Sequence, residues 1–269
     1  MCGDVIMSKE QQYIELAKEI RECHICKNIK APAYSKDGEC LRNDSAWVKF
    51  PENASVSDVY VNRWNLWHGD LNPHIMVIGQ DYGCVKKDDI TLASEWYETK
   101  PKNWRFTTDT RLYNLFLDNF GFEINKNKSE FPLYFTNVAC CYRTKDSTSQ
   151  ANEAWYPICA SRYLGRLIKI VRPKMIICLG QIAFNCMGCL EGISFNCTTT
   201  ETSELKKMSL KKLMDREKYS FSITFDNEEI PVMPVYHPGA KRNRNRSEEE
   251  EKKDWKGLKE RYDKIMGGA

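Results

Sequence analysis

The chain lacks any long apolar run and any strong imbalance of charge. No stretch approaches the length needed to cross a membrane, and the first ten residues lack the basic and then apolar pattern of a signal peptide. We therefore expect a cytoplasmic protein without a membrane partner. The net charge of +3 is too small to indicate a nucleic-acid partner by itself, so the positions where basic residues cluster carry more information.

Disulfide bonds are not expected either, although the sequence contains twelve cysteines. In a cytoplasmic chain of this size, so many cysteines indicate core thiols and metal ligands. Cys178 lies within an apolar run, which predicts a buried thiol. Cys186 and Cys189 have CxxC spacing but no obvious partner pair, and we interpret them as structural.

Four short apolar segments are predicted to form buried strands. They are IMVI at 75–78, FPLYFTNV at 131–138, KMIICLG at 174–180 and IPVMPVYH at 230–237. Long amphipathic segments separate the first three, as parallel crossovers require, so their carboxyl ends should share one edge of a sheet. The sequence is thus typical of an α/β protein with a real core.

Polar residues follow these strands where a ligand crevice would form. Gln80 and Asp81 follow the first strand, Asn137 ends the second and His237 ends the fourth. Ligands bind at the carboxyl ends of strands in open parallel sheets, so one crevice would hold Asp81, Asn137 and His237. For the first segment alone, a capped turn with a solvated aspartate is the simpler interpretation. The recurrence of the pattern favours a site.

The order of these motifs resembles the uracil-DNA glycosylase superfamily. The motifs are GQDYG at 79–83, FTN at 135–137, PKMIICLGQIA at 173–183 and PVYHPG at 234–239, with Cys23 and Cys26 near the start. The resemblance spans roughly residues 23–241 and is closest to the iron-sulfur family 4 enzymes. It implies a three-layer α/β/α sandwich with a central four-stranded, mainly parallel sheet.

The resemblance also implies an activity and roles for single residues. A DNA glycosylase would hydrolyse the N-glycosidic bond of a flipped-out pyrimidine, uracil by default, and leave an abasic site. Asp81 would offset the cationic sugar and orient the water, His237 would donate to O2 of the departing base, and Asn137 would read its Watson-Crick edge. Further contacts to the base are expected from Gly79, Gln80, Tyr82, Gly83 and Phe106.

Three positions of the first motif depart from the family. Asp81 stands third, as in family 1, whereas Gln80 occupies the place where family 4 has glutamate. Tyr82 replaces the usual proline, and Gly83 replaces the family 1 tyrosine that excludes the methyl group of thymine. An alternative substrate is therefore a C5-modified base, such as a hypermodified, glucosylated cytosine of phage DNA, which would make the protein an antiviral defence enzyme. No lysine is placed as a Schiff-base nucleophile, which predicts a monofunctional glycosylase.

A basic segment directly after His237 is the best candidate for contacts to the DNA backbone. Its basic residues are Lys241, Arg242, Arg244 and Arg246. The family motif usually continues through serine and a hydrophobic wedge, but Gly239 and Ala240 follow here, so the wedge must come from elsewhere. We expect a monomer that binds DNA with a flipped-out base.

The resemblance implies a metal site as well. Cys23 and Cys26 follow a predicted helix at 8–22, and the family pattern adds Cys141 and Cys159 as ligands of a structural 4Fe-4S cluster. Zinc accepts the same four thiolates, and Cys140 and Cys40 remain alternative ligands.

The predicted organisation is a single glycosylase domain, 1–269, with insertions at about 27–72, 84–103 and 196–219. Two rival classes remain: a nucleic-acid-binding module that has lost catalysis, and a redox or zinc protein. The retained Asp81, Asn137 and His237 favour the enzyme.

Overall fold

A six-stranded mixed sheet forms the centre of the protein. The computed structural model describes residues 7–23, 25, 71–81, 107–122, 132–140, 154–198, 202–239 and 246–268. The strands are β1 (Ile75–Gly79), β2 (Leu133–Asn137), β3 (Met175–Leu179), β4 (Ser194–Cys197), β5 (Phe221–Phe225) and β6 (Glu228–Val235). Their order across the sheet is β2-β1-β3-β6-β5-β4.

The four strands predicted from the apolar segments form the parallel part of this sheet. β1 pairs with β2 and with β3, and β3 pairs with β6, all in parallel. Every residue of β1, β2 and β3 is buried, because helices cover both faces of a parallel sheet. The predicted four-stranded parallel arrangement is therefore confirmed.

Two antiparallel strands extend the sheet beyond the four that were predicted. β5 pairs with β6 and β4 pairs with β5, both antiparallel. The turn at Asp226 and Asn227, both with positive φ, joins β5 to β6 as a tight hairpin. The prediction therefore gave two strands too few. The last two residues of β4 lie within the segment assigned to the third insertion, and β5 follows that segment.

Helices on both sides complete three layers. The helices are α1 (Lys9–Glu22), α2 (Thr107–Phe120), α3 (Trp155–Cys159), α4 (Gly165–Val171), α5 (Gln181–Asn185), α6 (Thr202–Leu205), α7 (Leu210–Leu213) and α8 (Glu248–Gly267). A π-helical stretch, Ala160–Leu164, joins α3 to α4 without a break. None of the described helices combines the length and apolar composition needed to span a bilayer.

The first and the last helix each begin with a serine that caps the helix. Ser8 and Ser247 each accept a hydrogen bond from the backbone three residues later, and Gln11 and Glu250 complete the two capping boxes. Four glutamates in the first turn of α8 suit the positive end of the helix dipole.

Each face of the sheet has its own core. One core joins α1 and the 155–171 helical run to the sheet, and a hydrogen bond of 3.0 Å between the hydroxyls of Tyr13 and Tyr134 links α1 to β2. The other core packs α2 and α8 against the opposite face. The rings of Phe116 and Trp255 meet edge to face there, with their centroids 5.0 Å apart. The helix-sheet-helix sandwich implied by the resemblance is therefore observed.

Of the three predicted insertions, most of 27–72 and all of 84–103 lie outside the described residues. The third contains the two short helices α6 and α7.

Candidate active site

The parallel register aligns the carboxyl ends of the strands that carry the predicted site. Gly79 pairs with Asn137, and Leu179 of the neighbouring strand pairs with Val235. Backbone bonds continue past the strand ends, because the Val138 amide donates to the Gly79 carbonyl and the Ala139 amide donates to the Gln80 carbonyl. Residues 80–81, 137 and 237 therefore follow neighbouring positions along one edge of the sheet.

Asn137 is buried at the end of β2, with 5% of its surface exposed. A Cβ atom at Gly79 would lie 2.2 Å from its Oδ1 atom, so only glycine allows the amide to lie against β1 at this position. Within the described part of the chain, the buried Nδ2 atom of Asn137 has no hydrogen-bond partner. Buried donors are rarely left without an acceptor, and such an exception points to a ligand.

The Asp81 carboxylate is oriented by two side chains. Its Oδ2 atom accepts hydrogen bonds from Nε2 of Gln80 at 2.9 Å and from the hydroxyl of Tyr156 at 2.7 Å. The same Gln80 nitrogen donates to the Tyr156 hydroxyl at 2.6 Å, which closes a triangle. One carboxylate oxygen is thus held in place by neighbours that are themselves ordered.

Tyr156 was not among the residues predicted from the sequence. It is 2% exposed and lies in the first helical run that the structure describes after β2, three residues before Cys159. Pro157 lies in the first turn of α3, where backbone N–H groups have no partner within the helix. Its lack of an N–H group therefore costs no helical hydrogen bond. In the sequence, the only indication of this role was that a tyrosine stands at the start of a helix that begins near this edge of the sheet.

His237 follows β6 and is neutral. Burial lowers the pKa of its imidazole, and the negative charge of Asp81 opposes this shift. Its Nδ1 atom accepts a hydrogen bond of 3.0 Å from the Gly239 amide, so the proton of the neutral ring lies on Nε2. The ring is therefore set up to donate one hydrogen bond through Nε2.

Arg111 on α2 holds the loop that carries His237. Its Nη1 atom donates to the Pro238 carbonyl at 2.9 Å, and its Nε and Nη2 atoms donate to the carboxylate of Glu251 on α8. The guanidinium thus joins α2, the His237 loop and α8. Sequence reasoning missed this residue, because the contacts join positions 127 and 140 residues apart.

Arg246 binds side chains at the start of α8. Its Nε and Nη2 atoms donate to the Asp254 carboxylate at 2.8 and 2.6 Å, and Nη1 donates to Glu250 at 2.8 Å. The guanidinium also lies 5.6 Å from the ring centroid of Tyr236. Each of its three nitrogens donates to a carboxylate of α8, so Arg246 fixes the start of this helix, and its predicted contact with the DNA backbone stays a prediction.

Two of the four predicted metal ligands are described, and they lie in the same helical layer. Cys23 caps the carboxyl end of α1 and is half-buried, and Cys159 ends α3 and is buried. The Cys23 thiol is hydrogen-bonded to the hydroxyl of Tyr163, whose pKa is raised by burial and by that thiol. Tyr163 lies one helical turn beyond Cys159, so this bond joins the end of α1 to the helical run that carries Cys159.

Glu19 and Arg166 add a second link within this layer. Two parallel hydrogen bonds of 2.5 and 2.7 Å join their side chains, so α1 and α4 are held together. Among the described residues, no group of three metal-ligating side chains converges on one point.

Cys178 and Cys186 are buried thiols, as expected. Burial raises the pKa of Cys186 to about 12, with a smaller contribution from neighbouring Cys189, and burial also raises the pKa of Cys178. Such thiols are poor nucleophiles at neutral pH. The structural interpretation of the second CxxC pair agrees with this environment.

The other predicted site residues lie outside the described ranges. They are Tyr82, Gly83, Phe106, Lys241, Arg242, Arg244, Cys26 and Cys141.

Comparison with known families gives one match. The family described as "Uracil DNA glycosylase superfamily" matches residues 66–259, which is more than half of the chain and contains β1 to β6. Comparison with curated proteins gives no match.

Proposed function

The chain belongs to the uracil DNA glycosylase superfamily, and from that premise we propose that it hydrolyses the N-glycosidic bond of a flipped-out pyrimidine in DNA, with uracil as the default substrate. DNA glycosylase activity is the general property of the superfamily. The observation that carries the proposal is the convergence of a held carboxylate, an unpaired buried amide and a neutral imidazole at one sheet edge.

Asp81 acts on the sugar side of the bond. As the bond from C1′ to the base nitrogen lengthens, positive charge develops on the sugar and its electrons move to the base. The Asp81 carboxylate, held by Gln80 and Tyr156, offsets that charge and orients the water that attacks C1′. The oxygen of the water adds to C1′ and its proton passes through solvent to the departing base anion, so the products are an abasic site and the free neutral base.

His237 acts on the base side. The departing pyrimidine carries negative charge on O2, and a neutral imidazole with its proton on Nε2 donates a hydrogen bond to that oxygen. Burial keeps the ring neutral, because it lowers the pKa of His237. The donor is in place before reaction, which is the condition for electrostatic stabilisation of a transition state.

Asn137 recognises the base. Its unpaired Nδ2 donor suits a carbonyl oxygen such as O4 of uracil, and the same amide turned over would present its oxygen to the amino group of a cytosine. A buried donor that meets no acceptor loses about 1–3 kcal/mol, so this group favours a base that supplies one. The default assignment of uracil rests on the superfamily, and this amide is compatible with it.

A C5-modified pyrimidine is the second candidate substrate, with antiviral defence as its context. Gly83 favours it, because the family 1 tyrosine that excludes the thymine methyl group is missing at this position.

The direct test is release of free base from single-stranded and duplex DNA containing uracil, thymine, cytosine, 5-hydroxymethylcytosine or its glucosylated form. We expect uracil release by the native chain and a loss of at least about a hundredfold in Asp81→Asn and His237→Gln. Asp118→Asn, which removes an exposed carboxylate on α2, is the matched control and should retain full activity.

The other outcomes identify the rivals. Release of a bulky modified base alone would assign the protein to the C5-modified substrate. DNA binding without release of any base, unchanged in Asp81→Asn, would contradict the glycosylase and support the binding module. A borohydride-trapped adduct with DNA would contradict a monofunctional mechanism.

We propose further that Cys23, Cys26, Cys141 and Cys159 hold a structural 4Fe-4S cluster, with zinc as the alternative. The position of Cys23 and Cys159 in one helical layer supports this assignment. Visible absorbance and the iron and zinc content of the purified protein distinguish the two groups.

The burial of several thiols supports a cytoplasmic location, and we propose that the protein acts on DNA as a monomer.

A further inference from the structure

A second cavity lies beside the strand that carries His237. Its volume is about 450 Å³, and β5, β6, the segment after α7 and the helix α8 form its walls. It exists because β6 is longer than its neighbour: Phe221 at the start of β5 pairs with Val232, and β6 continues to Val235 without that partner. The volume falls within the range of about 300–1,000 Å³ that is typical of small-ligand sites.

Arg216 is the main cationic group of this cavity. It is partly buried, and its Nη2 atom donates to the backbone carbonyl of Asp254 at 2.9 Å. In the described part of the chain it has no ion pair with a carboxylate, whereas the partly buried Arg111 and Arg246 pair with Glu251 and Asp254. Burial lowers the pKa of Arg216, and the charges of Asp254 and Glu260 oppose this effect.

Gly257 makes room for this guanidinium. A Cβ atom at Gly257 would lie 2.0 Å from Nη1 of Arg216, so the side chain passes against the backbone of α8. Glycine within a helix lowers its stability relative to alanine. Gly257 therefore lowers the stability of α8 at the point where the Arg216 side chain packs against this helix.

The remaining charges define the ligand. Arg261 and Lys264, on α8, add two cations to Arg216, while Glu217 and Glu260 add two carboxylates. Three separate cations suit a phosphate, which presents several acceptor oxygens and more than one charge, better than a single carboxylate. The two carboxylates suit a base with donor groups, and the buried rings of Tyr219 and Phe221, with centroids 6.2 Å apart, form an apolar wall beside them.

We propose that this cavity binds a phosphate group of a nucleotide, either free or within a DNA strand, and that Arg216 is its main ligand. The site is separate from the crevice of Asp81 and His237, although both lie toward the carboxyl end of β6. Binding of phosphate at this site can be tested without base release, because calorimetry measures the binding directly.

The test is calorimetric titration of the full chain with inorganic phosphate, a nucleoside 5′-monophosphate and a thymidine oligonucleotide. Arg216→Met removes the charge, and Gly257→Ala displaces the guanidinium while it leaves every charge in place. Both variants should weaken binding by at least about tenfold, which is the loss expected for a charge-assisted bond. Arg166→Met removes an exposed arginine on α4 and should bind like the native chain.

Each outcome decides the proposal. Tighter binding of the monophosphate than of the oligonucleotide, lost in both variants, assigns the cavity to a free nucleotide. Binding of the oligonucleotide alone, with a lower salt dependence in Arg216→Met, assigns it to a phosphate of the DNA strand. Affinities for all three probes that are unchanged in both variants, or no binding of any probe, would overturn the proposal. A melting temperature of Gly257→Ala at or above that of the native chain excludes unfolding as the cause of lost binding.

Discussion

At the residue scale, the hydroxyl of Tyr156 is one of the two side-chain groups described above that hold the Asp81 carboxylate. We expect Tyr156→Phe to lower the rate constant of base release by about tenfold, because Asp81 loses a charge-assisted hydrogen bond and with it a fixed orientation. Substrate affinity should change little, since Tyr156 is 2% exposed and lies behind Asp81. Single-turnover kinetics on uracil-containing DNA separate the two effects.

Tyr13→Phe is the matched control, because it removes another buried hydroxyl that bonds to Tyr134 far from the crevice. It should lower stability without changing the rate constant. Equal rate losses in the two variants would mean that Tyr156 acts only through general stability.

His237 makes a prediction about pH. Burial lowers its pKa below the ordinary value of 6.5, so the unfolded chain takes up a proton first as the pH falls. Its contribution to stability is therefore present above pH 6.5 and is lost as the pH falls below that value. In an NMR titration, the resonance missing from His237→Gln should titrate below 6.5, and Asp81→Asn should shift it lower still, because the opposing charge is gone. A midpoint at or above 6.5 would contradict the neutral imidazole.

The sequence predicted some of these residues and missed others for a physical reason. Asp81, Asn137 and His237 directly follow apolar strands, so local pattern and parallel topology were enough to bring them to one edge. Tyr156 and Arg111 act through side-chain contacts across 75 residues and more. Such contacts leave no local pattern, and only the packed structure reveals them.

At the scale of elements, α2 and α8 hold the His237 loop through Arg111. We expect Arg111→Met to lower base release by at least about tenfold, because the Pro238 carbonyl loses its donor and the loop loses its link to both helices. Glu251→Gln should have a smaller effect, since the bond to Pro238 remains. Kinetics measured beside a thermal melt show whether activity falls more than stability.

Arg172→Met is the control for this prediction, because it removes a paired surface arginine at the opposite end of the sheet. Activity that tracks the melting temperature alone in all three variants would reduce Arg111 to a stabilising contact.

Elements with strong local signals were predicted well, and the others were not. The segment 8–22 was predicted to be a helix and begins with a capping box at Ser8, and continuous apolar runs identified the four parallel strands. β4 alternates between exposed and half-buried residues, and it pairs only with β5 at the edge of the sheet. Pairing at an open edge depends on tertiary contacts more than on composition, so this part was interpreted as an insertion.

At the scale of the whole molecule, the predicted metal ligands and the His237 loop belong to helical layers on opposite faces of the sheet. The layer of α1, α3 and α4 contains the predicted metal ligands Cys23 and Cys159, whereas the opposite layer of α2 and α8 holds the His237 loop. Helix α3 is the link between them, because it carries both Tyr156 and Cys159. A metal in the first layer would therefore stabilise the fold and reach the crevice only through this helix.

Loss of the metal is expected to affect stability far more than catalysis. Cys23→Ser should lower both the bound metal and the free energy of unfolding, by at least about 3 kcal/mol, because the link between α1 and α3 is lost. A change of this size corresponds to a fall in melting temperature of roughly 6–12 °C. Glu19→Gln, which weakens the neighbouring ion pair with Arg166, should cost only about 0–1 kcal/mol, since that pair is exposed. Well below the melting temperature, base release by Cys23→Ser should stay within about threefold of the native rate, because Tyr156 is held by its own buried contacts. A much larger loss of rate in folded, metal-free protein would place the metal in direct support of the crevice.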